Sequence, residues 1–318
     1  MKTRTTLKTL RALLVTTALV AAGAAAPTFA QDRGGVMNIL ARQLPSEMGN
    51  IKTTFAAGTS GYIFPVVETL VGVDPETGFS PTKLATAWQV ADDGLSINFT
   101  LREGVKFHDG TDFNAEAVKW NIDQSLAKGA LDTVESVSVD GDYSVTLHLK
   151  QPDSTLFKAL SWYDGIMISP ASVEGQTAEF VASHIVGTGP FTMEKFEQDA
   201  KVEYVAFADY WDEGKPYLDG ITYTVVPDQN TAKTAFLAGQ AHVWDYMDSR
   251  NAPELRDMGY TINITAGLGR IMYPDSVNAD SPYSKLEVRQ AFEHAIDKHA
   301  IVDAFGYGTW SVMDGPCA

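Results

Sequence analysis

His108-Asp109, followed by Asp112 and Glu116, is the densest run of residues in this chain able to bind a metal or move a proton. The same residues have a plainer reading. Asp109-Gly110 is turn chemistry, and Glu116 falls where a helix dipole favours an acid. The remaining histidines, His148, His184, His242, His294 and His299, are scattered. His294 and His299 stand five apart, off the i, i+4 spacing that puts two ligands on one helix face. No metal site is expected, and no cofactor motif appears. A Gly-x-Ser-x-Gly nucleophile elbow and a Gly-Lys-Ser/Thr phosphate loop are both absent from the sequence. Gly187-Thr188-Gly189-Pro190 is glycine-rich, but Pro190 lacks the N–H a phosphate cradle would use. It reads as a loop entering a strand over 191–196. With 40 acidic residues, carboxylate pairs are always on offer, and sequence spacing does not sort them. A secreted carboxylate-based hydrolase therefore stays open at this point.

Aromatic residues are more suggestive. Trp162-Tyr163, Trp244 with Tyr246, and Tyr307 with Trp310 fall in segments that read as loops or element ends. Such rings supply large, stiff contact area with a polar handle, which suits a stacking cleft; core packing is the alternative for each.

The elements that must position these residues are legible from periodicity. Leu95, Ile97, Phe99 and Leu101 alternate with polar residues, as do Val145, Leu147 and Leu149, and Ile221, Tyr223 and Val225. Each set predicts a half-buried strand. Asp92-Asp93-Gly94 and Asp140-Gly141-Asp142 predict hairpin turns ahead of two of them. Asn114 predicts a helix cap, with Val118, Ile122 and Leu126 on one face. A helix over 231–238 is stopped by Gly239. Ser284 and Glu287 have capping-box spacing ahead of an apolar stripe through Val288, Ala291, Phe292, Ala295 and Ile296. Asp297 predicts a further cap. The irregular mixture of strands and helices indicates an α/β or α+β protein.

The 318 residues allow about two domains, and 45% apolar with 20% charged residues is an ordinary folding composition. The formal charge of −16 argues against a nucleic-acid partner, whose phosphates call for a basic surface. Cys317, the one cysteine, excludes an intrachain disulfide and a multi-thiolate zinc site. At the start, Lys2, Arg4, Lys8 and Arg11 precede the uncharged run Ala12 to Ala25, then small residues to Ala30. That is the pattern of a signal peptide cleaved after Ala30, its apolar run short of the ~20 residues that span a bilayer. An exported chain without a membrane anchor is expected.

The stretch "VVETLVGVDPETGFSPTKLATAWQVADDGLSINFTLREGVKFHDGTDFNAEAVKWNIDQSL", Val66 to Leu126, resembles the signature region of solute-binding proteins of the peptide/nickel ABC-importer family, family 5. Its marks are Glu68-Thr69-Leu70, Leu84-Ala85 before Trp88, Asp93-Gly94-Leu95 and the run Leu101 to Gly110. The resemblance continues in "VGTGPFTMEKF", in "DYWDEGKPYLDGITYTVVPDQNTAKTAFLAGQAHVWD" and in "VRQAFEHAIDKHAIV". It implies an α/β, periplasmic-binding-protein-like (type II, cluster C) bilobed fold whose second lobe is incomplete here. By analogy, lobe I would hold 31–60 and 186–268, an inserted subdomain 61–185, and the hinge with the start of lobe II 269–318. The implied role is non-enzymatic: a monomeric periplasmic protein captures a short peptide or similar polar solute and hands it to ABC permease subunits. A nickel chelate or an oligosaccharide on the same fold is the related alternative. Gln43 and Tyr62 occupy regions that line the cleft in the family, Gln43 for hydrogen bonding and Tyr62 for stacking or shape. Trp162, Trp244 and Tyr246 join them as ring contributors.

Overall fold

The structure, a computed structural model, describes residues 33–49, 60–74, 83–264 and 273–313. The expected leader with its cleavage point, residues 265–272 of the expected lobe crossing and Cys317 lie outside these. The described strands are β1 (Val36–Ala41), β2 (Glu68–Thr69), β3 (Ala85–Val90), β4 (Ser96–Leu101), β5 (Val134–Gly141) and β6 (Ser144–Leu149). They continue with β7 (Ile166–Met167), β8 (Phe191–Glu197), β9 (Lys201–Ala206), β10 (Gly220–Val225) and β11 (Val243–Trp244).

A four-stranded antiparallel sheet, β3-β4-β6-β5, takes all its strands from 85–149. The predicted alternation holds: Ile97, Phe99 and Leu101 of β4 and Val145, Leu147 and Leu149 of β6 are all buried. Leu95 does not follow it. It is 39% exposed, and its N–H donates to Asp93 Oδ1 at 2.9 Å, so the turn claims it before the strand begins. Helix α1 (Ala115–Ala127) covers this sheet. Asn114 caps it as expected, its side chain accepting from the Ala117 N–H at 3.0 Å. Val118 and Ile122 enter a core with Phe99, Phe107, Phe113 and Leu147. Each such side chain contributes about 1.5–3 kcal/mol through burial.

A five-stranded sheet, ordered β11-β1-β10-β9-β8, draws on both ends of the described chain. β1 runs parallel to β10 and to β11, while β10, β9 and β8 are antiparallel to one another in turn. Its core joins Ala41, Leu44 and Met48 to Tyr62, Ile63, Val66 and Val67, to Ile166, Ile168 and Ile185, and to Val202 and Tyr204. The two cores are therefore rooted in each other through 62–71 and 160–168. Asn121 is one tie: buried in α1, it donates to Ala117 O and Ile168 O at 2.9 Å each and accepts from Ile168 N at 3.1 Å.

Gly187 and Gly189 are needed for close approach. A Cβ on either would fall 2.3 Å from Val66 O or 2.6 Å from Val66 C respectively, and Gly189 N donates to Val66 O at 2.8 Å.

Helix α2 (Gln229–Leu237) begins before the predicted residue because Asp228 captures Thr231 N at 2.8 Å. Helix α3 (Leu286–Ala295) lacks the predicted capping box. Ser281 instead caps a short 3₁₀ turn, Pro282–Ser284, and Lys285 is extended (φ −83°, ψ 129°), separating Ser284 from the helix. Asp297 caps helix α4 (Lys298–Phe305), accepting from Ala300 N at 2.9 Å. No described helix is long and apolar enough to cross a membrane.

Candidate functional site

The carboxyl ends of β1, β10 and β11 lie at one edge of the five-stranded sheet, where open α/β sheets take their ligands. Residues leaving these ends are Ala41-Arg42-Gln43, Val225-Val226 and Trp244-Asp245-Tyr246. Asp245 N donates to Leu40 O at 2.9 Å, which fixes the β11 end against β1. Trp244 lies opposite Leu40 and packs its ring on Phe236 of α2, centroids 6.1 Å apart.

Tyr62 reaches this edge from the other side of the core. It is 5% exposed, and its hydroxyl donates to the Gln43 carbonyl at 2.9 Å. Its ring stands edge-on to Tyr223 of β10, centroids 5.1 Å apart at 72°. Tyr204 in turn donates its hydroxyl to Tyr62 O. Tyr62 thus braces the turn after β1 and shapes the wall, while the Gln43 side chain remains exposed. Tyr246 is 63% exposed with φ +50°, a left-handed conformation uncommon for a bulky residue.

Four of the five sequence-predicted residues, Gln43, Tyr62, Trp244 and Tyr246, therefore collect around the ends of β1 and β11. Trp162 has different neighbours. It is 49% exposed, and its ring meets Phe64 at 5.3 Å and Tyr163 at 5.2 Å. None of its described ring contacts is to the other four. Of the third aromatic pair, Trp310 donates its indole N–H to Ser249 Oγ at 3.0 Å.

The residue that sequence reasoning passed over is Asp245. It is half-buried among these tyrosines, and burial raises its pKa above the ordinary carboxylate value despite the Tyr246 N–H donated to Oδ1 at 3.0 Å. Its charge acts back on the rings: burial first, and Asp245 second, push the Tyr62 and Tyr223 hydroxyls above the usual phenol range. The signal available was an acid set between two aromatics at a strand end.

The His108 cluster is engaged in structure. His108 N donates to Gly187 O at 2.9 Å, and its Nε2 lies 2.8 Å from Gly189 O; burial lowers its pKa. Its Nδ1 is buried without a partner among the described residues. Asp109 accepts from Thr111 N at 3.0 Å, Thr111 Oγ1 at 2.6 Å and Ser169 Oγ at 2.5 Å. Burial works to raise its pKa, and these hydrogen bonds outweigh it. Asp112 pairs with Lys106 at 2.8 Å. Among the described residues no group of three or more His, Cys, Asp and Glu side chains is placed to hold a metal.

Two open depressions lie elsewhere, one of about 500 Å³ between α1 and Pro170–Glu174, the other of about 280 Å³ beside Pro216 and Tyr217. Neither touches the strand ends. A wall open on one side encloses no cavity, so the strand-end geometry and chemistry mark the site better than depression size does.

Residues 81–318 match the family described as bacterial extracellular solute-binding proteins, family 5 Middle. Glutathione-binding protein GsiB of Escherichia coli O1:K1 / APEC is 36% identical over 251 residues, 76% of this chain and 48% of that protein. The chain thus spans about half the length of the curated relatives it matches. Among solved structures, NikA from Brucella suis in complex with Fe(III)-EDTA superposes with a TM-score of 0.77 at 27% identity, over 89% of this chain and 59% of that one. DppA from Helicobacter pylori in complex with the peptide STSA gives 0.64 at 22% identity, over 71% and 49%, a likeness of fold. The mixed α/β architecture is that of the bilobed periplasmic binding proteins. By the extent of the family match and the identity to its curated relatives, this chain belongs to the family 5 bacterial extracellular solute-binding proteins.

Proposed function

We propose that the chain is the solute-capturing component of an ABC importer, taking up a short peptide or similar polar solute and delivering it to membrane permease subunits. The observation that carries this reading is the 36% identity to a glutathione-binding protein over 251 residues, 76% of this chain. Glutathione is itself a short peptide-like solute, and a wall of tyrosines with one carboxylate suits a polar ligand with both apolar and charged groups. The solved structure with Fe(III)-EDTA favours a metal chelate as the second ligand class.

The role is non-enzymatic. Among the described residues no nucleophile is engaged with Asp245, and the His108 cluster is committed to turn and backbone contacts. The protein acts as a monomer in the periplasm after cleavage behind Ala30, with a small solute and the permease subunits as its partners. Lobe I comprises 31–60 and 186–268, an inserted subdomain comprises 61–185, and 269–318 begins lobe II.

The test is thermal melting and calorimetry of the purified chain with glutathione. Saturable stabilisation with glutathione recovered intact is the expected result. Release of cysteinylglycine or another cleavage product would overturn it in favour of hydrolysis, and no stabilisation by glutathione or Fe(III)-EDTA would remove solute capture.

A further inference from the structure

His108 ties two distant parts of the chain together. Its backbone N–H donates to Gly187 O at 2.9 Å, and its ring Nε2 lies 2.8 Å from Gly189 O. Both carbonyls belong to the loop 187–190 that leads into β8. That loop has little room to shift: Gly187 and Gly189 press on Val66, and Thr188 Oγ1 donates to Glu68 Oε2 at 3.0 Å. Phe207 joins the same joint. Its ring meets the imidazole edge-on, centroids 4.7 Å apart at 70°, and its N–H donates to Pro190 O at 2.9 Å.

A carbonyl oxygen only accepts, so Nε2 carries the ring proton and Nδ1 keeps a lone pair. Nδ1 is buried and has no hydrogen-bond partner among the described residues. Protonation would put a charge and a second N–H at that atom with no acceptor for either, which is costly in a buried place. The acids around the joint are engaged elsewhere. Asp109, whose field favours the charged ring, accepts from Thr111 and Ser169. Asp112 pairs with Lys106, on which the field of Asp209, just after Phe207, also falls. Glu68, behind Thr188, accepts from Thr188, Tyr210 and Trp211 and feels the charge of Lys83. Burial outweighs the Gly189 bond and the Asp109 field, and the ring titrates below the ordinary imidazole value.

We propose that His108 is a pH-sensitive latch: its neutral ring fastens the 105–112 segment to the loop entering β8, and gain of a proton at Nδ1 releases that loop. The folded ring gives up its proton more readily than the unfolded one. The stability it contributes is therefore fully present above about pH 6.5 and is lost as pH falls from there through the folded value. What opens is local. The two cores stay rooted in each other through 62–71, 160–168 and Asn121, so the loop 187–190 and the start of β8 loosen first. The latch operates whichever solute the strand-end wall takes.

Native-state hydrogen exchange of the full chain, read at the amides of residue 108 and Gly189, tests the latch beside His108→Gln. After correction for intrinsic exchange, opening of these amides in the wild-type chain should rise about tenfold between about pH 7.5 and 5.0, the worth of one unit of pKa difference. In the variant it should rise far less, and every other titrating group is common to the two chains. A wild-type rise no greater than the variant's overturns the proposal. Ring ¹⁵N resonances of the wild-type chain, with His108 identified by its contact to Phe207, decide the matter even if the variant folds poorly. The expected result is a proton on Nε2 at neutral pH and a titration midpoint below about 6.5. A proton on Nδ1 overturns the proposal. So does a midpoint at or above about 6.5, the result if a buried water serves Nδ1 in both charge states.

Discussion

Glu68 in β2 and Asp245 at the end of β11 are both carboxylates withdrawn from water, and burial raises the pKa of each. Their surroundings differ. Glu68 is 2% exposed and accepts three side-chain hydrogen bonds: from Trp211 Nε1 at 2.8 Å, and from Tyr210 and Thr188 hydroxyls at 3.0 Å each. Asp245 is only half-buried yet accepts one, from its neighbour's backbone. The first acid is a staple: it draws residues 188, 210 and 211 onto β2 and joins segments far apart in the sequence. The second joins nothing. Satisfaction by donors, more than depth of burial, separates an acid that organises the fold from one that does not.

The largest effect should come from Glu68→Ala. Three donors would lose their common acceptor in a dry site, and the expected destabilisation is about 3 kcal/mol or more. Chemical denaturation with an unchanged m value would measure it; a loss below about 1 kcal/mol would mean water replaces the carboxylate and the contrast with Asp245 is false. Trp211→Phe is the finer probe. It removes one donor to Glu68 while keeping a ring under the Arg102 guanidinium, which lies 4.1 Å from the indole centroid. The cost should be about 1.5–2 kcal/mol, the value of a hydrogen bond to a charged group. Tyr62→Phe comes next, at about 1 kcal/mol, because the Gln43 carbonyl it leaves can turn to solvent. None of these three changes should alter the number of donors at Asp245.

Local signals in the sequence led to local structure. Alternation in β4 and β6, the Asn114 and Asp297 caps and the glycine-rich approach to β8 all depend on residues within a few positions of one another. Where two local signals competed, the nearer one won. Asp93 took Leu95 into a turn, and Ser281 with Pro282 formed a 3₁₀ turn that Ser284 was expected to open as a helix. The Glu68 staple was beyond reach because its donors arrive from more than a hundred residues away. Asp245 escaped for another reason: one acid among 40 carries no spacing, and only the absence of a partner in three dimensions singles it out. The family resemblance supplied the fold and the region of Gln43 and Tyr62, but Tyr62 proves to be a buried brace whose hydroxyl is spent on the wall itself.

Asp245→Asn is the smallest perturbation and the one that separates the two acids by sign. The pKa of Asp245 is raised in the folded chain, so between the ordinary carboxylate value and the raised one the folded state holds more proton than the unfolded. Stability contributed by this group is therefore present at acid pH, falls as pH rises through that window, and stays reduced above it. Asparagine keeps the acceptor for the Tyr246 N–H and carries no charge, so the variant escapes that loss. At neutral pH it should melt about 1–2 °C above the wild-type chain in the absence of solute, and the two curves should converge below the ordinary carboxylate pKa. Glu68→Gln should behave in the opposite direction at neutral pH, since its amide N–H replaces one of the two oxygens that now accept from Tyr210, Thr188 and Trp211. An Asp245→Asn chain that melts lower at neutral pH would show the carboxylate holding the fold together, and Asp245 would then belong with Glu68 as a staple. A higher melting point is the pattern of an acid the fold carries at a cost to its own stability.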